Sequence, residues 1–268
     1  MAPAPYNQSH LQHQDPPAQV SGSAGVDLVI VNYNSRRYLE KCLASIYRYT
    51  PRPFKIIVVD NGSTDGSVEY LEGRSDLECL PNQENLGYAA ACNQGIRQGV
   101  NPYIILLNPD IEVTRGWLEP LLGSARHPKV AVVGPKLVNS EGLLVGTGVK
   151  DWNELTRPRS WMQPDYPGRF MKPEECISVG GACYLIKRAL LPELGFFDER
   201  YFLYFEETDY SINALLKGFK VIFNPKSVVI HHVGATGGGG GHQARLNYFR
   251  ESRAKFVAKW RGKIPCLP

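Results

Sequence analysis

Two hydrophobic rhythms alternate through the first half of the chain. Residues 26–31, 55–60 and 103–107 are short apolar runs, and 77–80 is a fourth, weaker one. The run Tyr103-Ile104-Ile105-Leu106-Leu107 lacks any polar alternation, the mark of a strand covered on both faces. Between these runs the spacing turns helical. Leu39, Cys42, Leu43 and Ile46 predict a helix over 37–49, which Pro51 and Pro53 end. A short helix is expected over 68–72 and a small-residue helix over 89–98. The order β-α-β-α-β-α-β implies an α/β fold with a mostly parallel sheet and right-handed crossovers.

The second half is less regular. A helix is expected over 117–126, with strands over 130–133, 142–148, 178–186, 219–223 and 227–230. The stretch 150–175, rich in Trp, Pro, Arg and Asp, predicts a long loop. Ile212, Leu215 and Leu216 support a helix over 206–217, with Gly218 beyond its end. Glycines 237–241 suit a flexible flap. A last helix over 245–261 sets Leu246, Phe249, Phe256 and Trp260 on one side. Arg250, Arg253, Lys255, Lys259 and Arg261 supply positive charge.

The candidate chemistry gathers where the apolar runs stop. The first ends at Asn32-Tyr33-Asn34-Ser35, the second at Asp60-Asn61-Gly62-Ser63, and the run at 103–107 at Asn108-Pro109-Asp110. Asn-Pro-Asp alone is an ordinary turn. Three polar strand ends at one sheet edge instead point to a nucleotide-type site, because ligands of open α/β sheets bind at the carboxyl ends of the strands. Glu206, Glu207 and Asp209 fall in one first helical turn. Acids there complement a helix dipole on any surface. The aromatic and leucine run at 201–205 just before them should be buried, so this helix start is expected to face a cleft. Gly180 and Gly181 fit either a bulge or the close approach of a ligand.

Composition narrows the classes. With 268 residues, 43% hydrophobic and 21% charged, the chain suits one large domain or two small ones. A net charge of +4 does not argue for nucleic acid. No Gly-x-Gly-x-x-Gly follows the first strand, which excludes a dinucleotide-binding dehydrogenase. The same stretch lacks the basic glycine-rich loop of a nucleotidyltransferase. Six cysteines without a Cys-x-x-Cys pair argue against structural zinc and for buried free thiols in a reducing compartment. No apolar run approaches membrane-spanning length. Residues 1–25 read as a disordered tail without the features of a secretory signal.

From residue 26 to about 262 the chain resembles the inverting glycosyltransferases of family 2, with the GT-A fold. Within them it is most similar to rhamnosyltransferase-like enzymes of bacterial polysaccharide assembly. The matching stretches are Val29-Ile30-Val31-Asn32-Tyr33-Asn34, Val58-Val59-Asp60-Asn61-Gly62-Ser63-Thr64-Asp65-Gly66-Ser67, Asn85-Leu86-Gly87-Tyr88 and Asn93-Gln94-Gly95. Leu107-Asn108-Pro109-Asp110, Gly180-Gly181-Ala182, Phe197-Asp198-Glu199 through Asp209, and His231 to Thr236 complete them. The resemblance implies a domain over 26–244 and a basic C-terminal helix, 245–268, packed on it. Tyr33 and Asp60 would hold the base of a dTDP- or UDP-linked sugar. Val31, Asn34, Asn61, Asn85, Gly87, Asn108, Gly181, Ala182 and Arg253 are further substrate-binding candidates. Asp209 would brace the helix or the acceptor. Asp110 would bind Mg²⁺ or Mn²⁺ with His231, or with His232 in its place. Asn108 stands where the family's metal motif begins with an acid. Glu207, beside Glu206, matches the general base, expected to be ionised and weak at a helix start. The implied acceptor is a saccharide, carried on a polyprenyl diphosphate, which would place the protein in the cytoplasm at the membrane face. The basic helix is then an expected contact for anionic lipid.

Overall fold

The computed structural model describes residues 25–155, 159–234 and 241–265. All but Gly25 of the tail expected over 1–25, most of the expected flap and residues 266–268 lie outside the described residues.

The four apolar runs form parallel neighbours. They are β1 (Val26–Asn32), β2 (Phe54–Asp60), β3 (Glu78–Pro81) and β4 (Tyr103–Leu107), joined by α1 (Arg36–Tyr49), α2 (Ser67–Glu72) and α3 (Tyr88–Gln98). Their order across the sheet is β3-β2-β1-β4. Register pairs Asn32 with Asp60, and Ile30 with both Val58 and Leu107, so these strands end level at one edge. Residues of β1, β2 and β4 divide between two cores, one shared with α1 and the other with α3. That explains why the runs show no alternation.

Beyond β4 the sheet becomes mixed. In chain order follow β5 (Ile111–Val113), α4 (Leu118–Ala125), β6 (Val130–Val138), β7 (Leu143–Gly146), β8 (Gln163–Pro164) and β9 (Glu174–Cys176). Then come β10 (Cys183–Lys187), α5 (Leu191–Leu194), α6 (Glu206–Leu216), β11 (Lys220–His231) and α7 (Gly241–Trp260). β10 enters antiparallel between β4 and β6, while β6 and β11 run parallel.

Three expectations are corrected here. The strand expected over 178–186 starts only at Cys183. Ser178 makes a single bridge to Val149, and the glycine pair leaves the ladder because it offers no side chains to pack. The strands expected at 219–223 and 227–230 are one strand, β11, whose pairing with β6 shifts register between Asn224 and Val228. Pro225 lies in that shift and cannot donate a ladder hydrogen bond. Finally, the stretch 150–175 is not all loop: it contains β8 and the start of β9.

The apolar side of α7 docks on the domain. Phe256 and Trp260 are buried with Leu155, Ile177, Tyr201, Phe205, Ile212 and Ile264, and Phe249 packs against them. Burying each aromatic is worth about 1.5–3 kcal/mol. Arg250, Arg253, Lys255 and Arg261 stay exposed. No helix among the described residues is long and apolar enough to cross a membrane.

Candidate active site

The level strand ends open into a cavity of about 400 Å³. Its floor is an amide network built from the polar strand ends. Asn61 is its hub: Nδ2 donates to Asn85 Oδ1 (2.8 Å) and to the Gly87 carbonyl (3.2 Å), while Oδ1 accepts from Asn82 and from the Leu86 amide. Asp60 is fully buried beneath. Its Oδ2 accepts from Asn32 Nδ2 at 2.7 Å and its Oδ1 from the Ser63 amide at 2.8 Å. Asn34, with left-handed backbone, takes the Thr64 amide on its Oδ1 at 2.7 Å. Gly87 has φ 88°, and a β-carbon there would stand 2.8 Å from both the ring and the carbonyl of Phe202. Only glycine lets the two halves of the molecule meet at this point, where the Tyr88 amide donates to that same carbonyl.

One wall of the cavity carries Asp110 and His231. Pro109 ends β4, and the Asn108 amide donates to the Ala182 carbonyl at 3.0 Å, which ties β4's end to the glycine segment. His231 ends β11, and its Nε2 lies 3.3 Å from Asp110 Oδ1. Asp110 is 1% and His231 16% exposed. His232 points elsewhere, its Nε2 2.7 Å from Glu112 Oε1. Among the described residues no three His, Cys, Asp or Glu side chains are grouped to hold a metal. A carboxylate and an imidazole from the protein still fit a divalent ion that takes its remaining oxygens from a substrate diphosphate and water.

The start of α6 lines the cavity as well. Tyr204 and Phe205 precede it with φ of 71° and 72°. Left-handed backbone at two bulky residues costs about 1–3 kcal/mol each and persists only when the surroundings impose it. Glu206 is buried and Glu207 half-buried. Burial raises both carboxyls above the ordinary range, Glu206 well above it, and the neighbouring charge of Glu207 adds to the rise at Glu206. The expectation that the helix start keeps Glu207 a weak base is therefore corrected. Backbone N–H groups and Thr208 pull its pKa down, but burial is the larger effect.

Eleven of the sequence candidates line this one cavity: Val31, Tyr33, Asn61, Asn85, Asn108, Asp110, Gly181, Ala182, Glu206, Glu207 and His231. Asp60, Asn34 and Gly87 are not in the lining: Asp60 and Gly87 are buried beside it, and Asn34 is exposed. Two candidates are displaced. Asp209 is buried outside the lining, accepting from Tyr201 Oη (3.0 Å), Trp260 Nε1 (2.8 Å) and Lys259 Nζ (2.6 Å), so of its two expected roles the contacts fit bracing α6. Arg253 is exposed and absent from the lining. The arginine in the lining is Arg245, two turns earlier on α7. Sequence reasoning also missed Tyr88, Trp161, Phe202 and Tyr204 in the lining. For Phe202 and Tyr204 the signal was the aromatic run before Glu206, whose apolar character assigned it to the core.

Gly181 lies against Glu207. A β-carbon on it would lie 3.3 Å from Glu207 Cγ, while one on Gly180 would touch only the end of Leu137 at 3.1 Å. Gly181→Ala is therefore expected to lower turnover about tenfold at saturating donor, by shifting Glu207 a few tenths of an ångström. Gly180→Ala should have a smaller effect, and steady-state kinetics of the two variants make the comparison.

The family model for glycosyl transferase family 2 matches residues 27–195. The N-acetylglucosaminyl-diphospho-decaprenol L-rhamnosyltransferase of Mycobacterium tuberculosis (strain ATCC 25618 / H37Rv) is 31% identical over 232 residues, covering 76% of this chain and 75% of the relative. The solved structure of a mannosyltransferase from Pyrobaculum calidifontis, in complex with GDP-Man and Mn²⁺, superposes with a TM-score of 0.64 at 19% identity, over 96% of this chain and 70% of that one. That of GalNAc-T7 with UDP, GalNAc and Mn²⁺ also gives 0.64, at 20% identity, over 79% of this chain and 44% of the other. The fold is thus the GT-A fold of nucleotide-sugar transferases. The chain belongs to glycosyl transferase family 2, and it is a glycosyltransferase.

Proposed function

We propose that this enzyme moves a sugar, with inversion, from a nucleoside diphosphate to a hydroxyl of a lipid-linked saccharide. The observation that carries this reading is one cavity lined by Glu207 and by Asp110 with His231. Glu207 takes the proton of the acceptor hydroxyl while that oxygen bonds to C1 of the donor sugar. The bond from C1 to the diphosphate oxygen breaks on the opposite face, and its electrons leave with the diphosphate. The proton ends on Glu207, and because one displacement makes and breaks the bonds at C1, no covalent enzyme intermediate is needed. Asp110 and His231 are the residues that would hold Mg²⁺ or Mn²⁺. Such an ion, when bound, stabilises negative charge on the departing diphosphate. Arg245 lies where it can contact an anionic part of either substrate. Tyr33 offers a face for the nucleotide base.

The name of the mycobacterial relative supports rhamnose as the sugar and a diphospho-polyprenol-linked saccharide as acceptor. We take dTDP-rhamnose as first donor and a UDP-sugar as the alternative. The exposed basic side of α7 supports a peripheral seat on anionic lipid at the cytoplasmic face. A panel of nucleotide sugars, assayed with Mg²⁺, Mn²⁺ or EDTA and a polyprenyl-diphosphate-saccharide acceptor, tests the proposal. The expected result is metal-dependent transfer from dTDP-rhamnose. Transfer from a UDP-sugar alone would replace the donor, and failure of every nucleotide sugar to bind would overturn the reading.

A further inference from the structure

Tyr204 and Phe205 stand side by side in left-handed backbone directly before Glu206 and Glu207. Neither residue favours that conformation, as glycine or asparagine would. α7 packs against both. The Phe249 ring lies 5.9 Å from that of Tyr204 and 5.3 Å from that of Phe205, and Phe256 stands 5.1 Å from Phe205. Ser252 Oγ donates to the Leu203 carbonyl at 2.8 Å, and Lys255 Nζ to the Arg200 carbonyl at 2.8 Å. Past the glutamates, Lys259 Nζ and Trp260 Nε1 both donate to Asp209. One helix thus grips the chain on both sides of the reactive pair.

We infer that α7 is a clamp that aims Glu207, with Phe249 and Ser252 as its positioning residues. Relaxing either strained residue to right-handed backbone turns φ through more than about 100°, since the ordinary values are negative. That rotation redirects the first turn of α6 and carries Glu207 away from Gly181. Neither Phe249 nor Ser252 is among the cavity-lining residues, so both act through the turn. This inference rests on Glu207 being the base and adds what holds it in place.

The test uses the full-length enzyme with Phe249→Ala, Phe249→Leu and Ser252→Ala. The first readout is independent of activity. Amide hydrogen exchange over 203–209 should quicken at least about tenfold in Phe249→Ala, with 26–32 unchanged, as a local opening demands. The second is kinetic. Turnover should fall about 10–100-fold, with donor KM within about twofold, and Phe249→Leu should restore most of it. Unchanged exchange and unchanged kcat in folded Phe249→Ala would overturn the clamp. A variant that merely lowers the melting temperature, with kcat intact below it, would overturn it too. Should Phe249→Ala not fold, Ser252→Ala, which deletes one hydrogen bond, decides by the same two readouts. If Glu207→Gln keeps its turnover, the base assignment fails separately, and exchange over 203–209 still reports on the clamp.

Discussion

Glu207→Gln abolishes transfer while nucleotide-sugar binding persists: kcat is expected to fall about 10²–10⁴-fold, the usual contribution of a positioned general base. Glutamine keeps the shape beside Gly181 and the hydrogen bond from Thr208 Oγ1 (3.2 Å in the wild type) but cannot accept the acceptor's proton. Kinetics and donor titration calorimetry on the variant make the check, and a variant retaining turnover would remove Glu207 from the mechanism. The pH profile carries the same assignment. Burial raises the Glu207 carboxyl above its ordinary 4.5, so the acid limb of kcat should lie above that value, with activity increasing as pH rises through it. Glu206 behaves differently. It is 4% exposed, its Oε2 lacks a hydrogen-bond partner among the described residues, and burial with the charge of Glu207 drives its pKa further up. Both causes favour its neutral form, which glutamine mimics. Glu206→Gln should therefore leave most of the turnover. The linkage also has a sign. A folded pKa above the unfolded value means that the folded state holds a proton the unfolded chain releases, so stability declines as pH rises from about 4.5. Glu206→Gln removes that decline from its side of the pair, which thermal melts across the range would show.

The parallel half of the molecule was legible because each buried strand is a local pattern that ends in a polar residue. Val26–Asn32 and Tyr103–Leu107 are read from their own side chains, and their level ends follow from parallel pairing. Contributions made by distant packing were not legible. Tyr204 and Phe205 look like core residues in sequence, and only the rings of Phe249 and Phe256 reveal the imposed turn. Arg245 and Arg253 are two basic residues of one helix. Helical spacing ranks neither above the other, and the way α7 lies on Tyr201 and Phe205 decides which lines the cavity. The same holds for Asp209. In sequence it is a third acid of the first turn, and in space Trp260 and Lys259, some fifty residues away, have claimed it. Reading Glu207 as weakly basic failed for a related reason: the helix terminus is visible in sequence, and the burial that outweighs it is not.

Asp110→Asn should be nearly as damaging as loss of the base, with turnover reduced at least about 100-fold and the Mn²⁺ concentration for half activity raised tenfold or more. The side chain keeps its size and loses its charge, which is what a hard cation binds. Asn108 already stands where the resemblance expects another acid, and Glu112 is engaged with His232. In the proposed site Asp110 and His231 would carry the protein's share between them, and among the described residues no group of three His, Cys, Asp or Glu offers a spare carboxylate to absorb the loss. His231→Gln should be milder, because an imidazole contributes no negative charge and the ion's other oxygens come from the donor diphosphate and water. His232→Gln should change turnover least of the three, since its ring faces Glu112. Electron paramagnetic resonance of Mn²⁺ with nucleoside diphosphate, run beside activity titrations, separates weakened metal binding from a misfolded corner. Equal Mn²⁺ affinity in wild type and Asp110→Asn would show that the cation is held elsewhere. An Asp110→Asn effect confined to kcat would instead make the carboxylate a partner of the substrate itself.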